Sequence, residues 1–121
     1  MKREQVLRVV LVLVGLLFVA AIYPVVDGLR HATAPDGDTM MLSIYFALGI
    51  FLLLASRNPM TNRSLIVFAG CANLAHASVM AVMAARFTTE REHMLVGVIM
   101  FGIIGVVLLA MAPRTSAAGA K

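Results

Sequence analysis

The residues of this chain best equipped for chemistry are a histidine, an asparagine and two methionines set among apolar side chains. His76 lies near the middle of Ser64 to Ala85, a stretch free of Asp, Glu, Lys and Arg, and ionisable side chains at such depth are rare and turn to the protein interior. Asn73 precedes it by three positions, and Met80 and Met83 follow by four and seven. On a helix that spacing lines all four along one stripe, polar and soft. Tyr45, in the preceding apolar stretch, sits at a similar depth, so a hydrogen bond from its hydroxyl to the imidazole is geometrically open, with Ser43 and Ser78 placed to join it.

Three kinds of chemistry fit the stripe. A neutral imidazole hydrogen-bonded to Asn73, Tyr45 or a backbone carbonyl fixes helix register, a common glue in membranes worth about 1 kcal/mol; this is the leading reading. The same imidazole can meet a quinone carbonyl or, as a single axial ligand, a haem iron. With thioether help from Met80 and Met83 it offers a soft site that favours Cu(I) over zinc. Methionines at helical spacing are more often adaptable packing than ligands, so no metal is assigned and no resident cofactor is expected. The loop residues His31, Asp36, Asp38, Glu90, Glu92 and His93 follow no ligand spacing and read as solvated caps and outer charges.

Catalytic constellations are missing from the sequence. There is no phosphate-cradling glycine loop, no GxSxG, no HExxH and no carboxylate pair inside an apolar stretch, so no catalytic residue is assigned and an enzyme is not expected. The single Cys71 excludes an internal disulfide or a CxxC pair, and its surroundings keep the thiol inert. Transport is a further class to weigh, since small multidrug exporters share this size and helix count. They exchange protons through a glutamate in the first helix, which here has none, and a lone histidine is a weak coupling device.

The elements that must hold these residues are membrane helices. Of 121 residues, 61% are apolar and 13% charged, with a mean hydropathy of +0.95; soluble domains run at about 45–50% and 25%. Four stretches, Val9 to Val26, Thr39 to Ser56, Ser64 to Ala85 and Met94 to Ala112, contain no Asp, Glu, Lys or Arg. Each approaches the roughly 20 residues a bilayer demands. Unpaired backbone groups cost several kcal/mol each in lipid and none of the stretches alternates like a barrel strand, so all four are helices. The expected fold is all-α: a four-transmembrane-helix, up-down-up-down bundle forming one integral membrane domain over 1–121, with helices at about 6–26, 39–56, 64–86 and 94–112.

Charge sets the expected orientation. The N-terminus, the second connection and the tail hold seven basic residues, Lys2, Arg3, Arg8, Arg57, Arg63, Arg114 and Lys121, against one acid, Glu4. The other two connections hold three, Arg30, Arg86 and Arg91, against five acids. Both termini are therefore expected in the cytoplasm, and the same rule accounts for the net charge of +4 without nucleic-acid binding. A twelve-residue outer loop, Asp27 to Asp38, closes with Ala34-Pro35-Asp36-Gly37-Asp38, a turn whose last residues cap the second helix. At the inner turn Pro59 stops one helix, and Asn62 or Ser64 caps the next. Ser116 to Lys121 reads as a frayed tail, and no internal repeat is evident.

Apolar burial does not drive helices together in lipid; small residues and interhelical hydrogen bonds do. The third stretch offers Ala77, Ala81 and Ala85 on one face and Cys71, Ala75 and Ser78 on another, which makes it the expected central helix. Gly15, Gly49, Gly97, Gly102 and Gly105 supply small positions elsewhere.

The run Gly49-Ile50-Phe51-Leu52-Leu53-Leu54-Ala55-Ser56-Arg57-Asn58-Pro59, continuing through Asn62-Arg63-Ser64-Leu65-Ile66 to Asn73-Leu74-Ala75-His76-Ala77, resembles a family of small bacterial inner-membrane proteins of unknown function. The opening Lys2-Arg3-Glu4 with Leu7-Arg8 and Ile22-Tyr23-Pro24 fits it too. In size and topology the chain is similar to DoxX-like four-helix proteins. The resemblance implies a multi-pass protein of the bacterial inner membrane and carries over no catalytic residue. It directs attention to Arg57, Asn58, Asn62 and Arg63 at the cytoplasmic turn, which can cap helices, grip lipid phosphate or meet a partner loop. The sequence thus supports a structural or accessory subunit, a homo-oligomer or a member of a larger membrane complex. The alternatives are a quinone or haem binder centred on His76 and a small transporter.

Overall fold

A computed structural model describes residues 3–114, with only the backbone of Glu90. The expected tail, Ser116 to Lys121, and the topology charges Lys2 and Lys121 lie outside the described residues. The order is α1 (Arg3–Val19), α2 (Ile22–Arg30), α3 (Gly37–Ala55), a 3-10 turn at Pro59–Asn62, α4 (Arg63–Arg86), a second 3-10 turn at Thr88–Glu90, and α5 (Arg91–Met111). All described elements are helical. Four spans are long and apolar enough to cross a membrane: Arg3–Arg30, Gly37–Ala55, Pro59–Arg86 and Arg91–Met111. The chain has the build of a multi-pass membrane protein.

These elements form two compact units, Met1–Thr61 and Asn62–Lys121. The first is a hairpin in which α1 and α2 pack on α3. One continuous helix is expected over 6–26, and the structure instead breaks it at Ala20 and Ala21. Pro24 is the cause: it has no N–H for the Ala20 carbonyl, and its ring crowds that oxygen. Tyr23 N–H takes the Ala20 carbonyl at 3.1 Å, and Ala21 N–H bonds Phe18 O at 3.0 Å, a locally tighter winding. Beyond the break the chain stays helical to Arg30, so the connection to α3 is shorter than the expected twelve-residue loop. Asp36 caps α3 as the turn sequence predicts, its Oδ1 accepting Asp38 N–H at 3.0 Å and its Oδ2 accepting the Thr39 hydroxyl at 2.9 Å.

The interior of this hairpin is Leu7, Leu11, Val14, Phe18 and Val25 against Tyr45, Leu52 and Ala55. Gly15 and Gly49 set the helix separation: a Cβ placed on Gly49 would lie 2.8 Å from the Gly15 carbonyl oxygen and 2.8 Å from Val19 N. Only a residue without a side chain lets the backbones meet there, the small-residue logic of membrane helix pairs.

The second hairpin pairs α4 with α5 through the same device. A Cβ on Gly105 would lie 2.9 Å from Gly70 O, and one on Gly70 would lie 3.2 Å from Gly105 O. The face of α4 turned to α5 is Ile66, Ala69, Gly70, Asn73, Ala77 and Ala84; Ala81 and Ala85, expected to continue from Ala77, are exposed. An arginine ties each end. Arg91 Nε donates to Ala84 O at 2.9 Å and its Nη2 to Ala85 O at 3.3 Å, supplying donors to carbonyls at the end of α4. At the other end Arg63 Nε donates to Pro113 O at 2.6 Å. Asn62 stands at the N-cap of α4 but makes no capping bond, so the cap expected of it is absent.

Compared position by position, the two hairpins carry one pattern. Tyr45-x3-Gly49-x2-Leu52-Leu53 in α3 returns as Phe101-x3-Gly105-x2-Leu108-Leu109 in α5. Leu11, Val14, Gly15 and Phe18 in α1 hold the positions of Ile66, Ala69, Gly70 and Asn73 in α4, and all eight are buried. The internal repeat that the sequence does not advertise is therefore present as a pattern of buried positions.

Candidate functional site

The stripe Asn73, His76, Met80, Met83 occupies α4, and His76 and Met80 meet α5. Asn73 is fully buried. His76 is half-buried, and its ring sets its edge against Phe101, centroids 4.5 Å apart at 83°, a favoured aromatic geometry. Met80 covers Gly97, where an added Cβ would collide with its methyl end. Met83 lies outside this contact at 41% exposure.

Asn73 holds the site's unbalanced chemistry. Its Nδ2 donates to Ala69 O at 2.7 Å, one turn back on its own helix. Its Oδ1 is buried and has no hydrogen-bond partner among the described residues. The orientation of the amide is forced, because the Ala69 carbonyl can only accept. An acceptor left in this state costs about 1–3 kcal/mol.

Tyr45 belongs to the first hairpin, where its ring meets Phe18 edge-on at a centroid distance of 5.0 Å. The aromatic partner of His76 is Phe101, a residue that sequence reasoning passed over; its place in the repeated aromatic-x3-Gly pattern is the signal that marks it. The two serines placed to join the site serve their own helices instead, Ser43 donating to Met40 O and Ser78 to Leu74 O at 2.8 Å. At the turn between α3 and α4, Arg57 and Asn58 are exposed and the Asn58 carbonyl accepts the Thr61 hydroxyl at 3.1 Å. Arg63, the fourth residue of that group, is the clamp on Pro113.

Among the described residues, no three His, Cys, Asp or Glu side chains gather closely enough to hold a metal ion. In the connection between α2 and α3 Asp36 is committed to its cap, and His31 Nδ1 lies 3.3 Å from Asp27 Oδ1 on the same helical turn.

The profile of a family of unknown function (DUF6632) matches residues 2–121. The chain belongs to that family. No curated protein and no solved structure matches it.

Proposed function

We propose, from a family membership that brings no activity with it, that this protein is a non-enzymatic accessory subunit that docks a transmembrane helix of a second copy or of a larger membrane complex. The observation that carries the reading is the face of α4 beside its contact with α5. Cys71, Ala75 and Ser78 all stand exposed there, at the spacing that lets two membrane helices approach closely. The glycine crossings leave each hairpin internally close-packed, which suits a rigid docking element better than a moving one. The proposed setting is the bacterial inner membrane, with both chain ends in the cytoplasm, supported by the distribution of basic residues.

A photo-crosslinking side chain at Ala75, activated in intact membranes, tests this. A discrete adduct to a second membrane polypeptide is expected, at twice the chain mass for a second copy, with only lipid adducts from the exposed Val106 on α5. Lipid adducts alone at Ala75, or a crosslink to the protein's own chain, would overturn the proposal.

A further inference from the structure

The hairpin repeat exposes a substitution that packing alone does not explain. At the third position beyond the crossing glycine, the first hairpin has Phe18, whose ring closes on Tyr45. The second has Asn73, while Phe101, at the position of Tyr45, is left to the edge of His76. Every other buried pair around the two crossings exchanges one apolar or aromatic residue for another: Leu11 for Ile66, Val14 for Ala69, Tyr45 for Phe101, Leu52 for Leu108. One position alone turns polar, and it holds a buried carbonyl oxygen that accepts nothing among the described residues. Buried polar atoms are normally paired, and one that is not calls for a specific explanation.

We propose that Asn73 and His76 form a binding site for a lipophilic ring compound that carries a hydroxyl donor, of the hydroquinone class. The ligand's O–H supplies the hydrogen bond that Asn73 Oδ1 lacks. Its ring takes up the edge-on position at Phe101 that the imidazole fills in the free protein, in the manner of Phe18 and Tyr45 in the first hairpin. His76 and Met80 are the half-buried members of the stripe, and they are the side chains that give way. Flexible methionine suits that role, adapting its shape at little cost. The oxidised quinone has carbonyls in place of hydroxyls and cannot satisfy an acceptor, so the site distinguishes the two forms of one molecule by a single hydrogen bond. Recognition of that kind discriminates strongly, since the wrong form leaves the buried oxygen unpaired. This inference does not depend on the docking face, which uses other residues of α4.

The probe is a short-chain hydroquinone and its oxidised quinone, titrated anaerobically into the full chain in lipid nanodiscs and read by ligand partitioning against empty discs. Wild type is expected to retain the reduced form at least tenfold more tightly than the oxidised form. Asn73→Leu is expected to remove that preference, and Val106→Ala, on the exposed face of α5, to leave it within about threefold. Circular dichroism and thermal unfolding establish that each variant is folded, and Phe18→Leu in the other hairpin controls for loss of packing. Equal retention of both forms by wild type, binding no greater than that of empty discs, or a preference surviving in folded Asn73→Leu would each overturn the assignment.

Discussion

Gly49 and Gly15 face one another so closely that a methyl group on Gly49 would meet three fixed groups at 2.8 Å: the Gly15 carbonyl oxygen, the Phe18 Cβ and the Val19 backbone nitrogen. None belongs to the far end of a flexible side chain, so α1 and α3 must separate to admit it. Gly49→Ala is expected to lower unfolding stability in detergent by about 1–3 kcal/mol, the usual cost of overpacking. Gly102 is the internal control. Nothing lies within 4 Å of a Cβ there, and Gly102→Ala is expected to be neutral or to gain about 0.5–1 kcal/mol from the more restricted unfolded chain and better helix propensity. Equilibrium unfolding of both variants by circular dichroism checks the contrast; equal losses would show that the crossing is not tight.

Hydropathy made the four spans legible because lipid allows an apolar stretch of that length one backbone solution. The caps followed where a side chain acts within its own turn, as Asp36 does. Pro24 stands in the sequence too, yet residue type alone does not fix its effect, since the same residue can kink, end or merely dent a helix according to what the freed carbonyl finds. The face of α4 was harder. Alanines at 77, 81 and 85 satisfy the small-residue spacing as well as Gly70, Asn73, Ala77 and Ala84 do, and which set turns inward depends on where Gly105 and Phe101 stand on the opposing helix. His76 and Asn73 were legible as a stripe, but the orphaned oxygen was not, because it is a property of geometry rather than of residue type.

Asn73 also tests the stability cost of that geometry. Replacing it by leucine removes a buried acceptor with no donor and gives up only a bond to Ala69 O within the same helix. Removing a poorly satisfied polar group in favour of an apolar one of similar shape is neutral or stabilising. Asn73→Leu is expected to leave unfolding stability unchanged or raise it by up to about 2 kcal/mol, in contrast to Ile66→Ala on the same face, which is expected to lose about 2–4 kcal/mol by leaving a cavity. A clear loss in Asn73→Leu would mean that its oxygen is satisfied in the membrane.

Arg91 reaches back to the Ala84 and Ala85 carbonyls, so its removal should loosen one end of the second hairpin and leave the glycine crossing intact. Arg91→Gln is expected to cost about 1 kcal/mol, within the range for a hydrogen bond with a charged donor after allowance for its exposure. Its effect should be local. Amide exchange at Phe87, whose N–H bonds Met83 O at 2.8 Å, should accelerate severalfold while Ala69 to Leu74 stay protected. A uniform acceleration along α4 would contradict a local clamp.

Pro24 provides the geometric prediction. With a proline at this position the Ala20 carbonyl has no i+4 donor, and α1 and α2 part at Ala20 and Ala21. Pro24→Ala restores that N–H and removes the ring that crowds the carbonyl, so the helix should run without interruption from Arg3 to Arg30. Spin labels at the exposed Val12 and Val26, in a Cys71→Ser background, should then approach the roughly 21 Å set by the 1.5 Å rise of an unbroken helix over fourteen residues. The wild-type distance should differ from that value, and backbone exchange at Ala21 should slow in the variant. Identical distance distributions in the two proteins would place the cause of the break in packing against α3, where Gly28 meets Thr39, rather than in the proline.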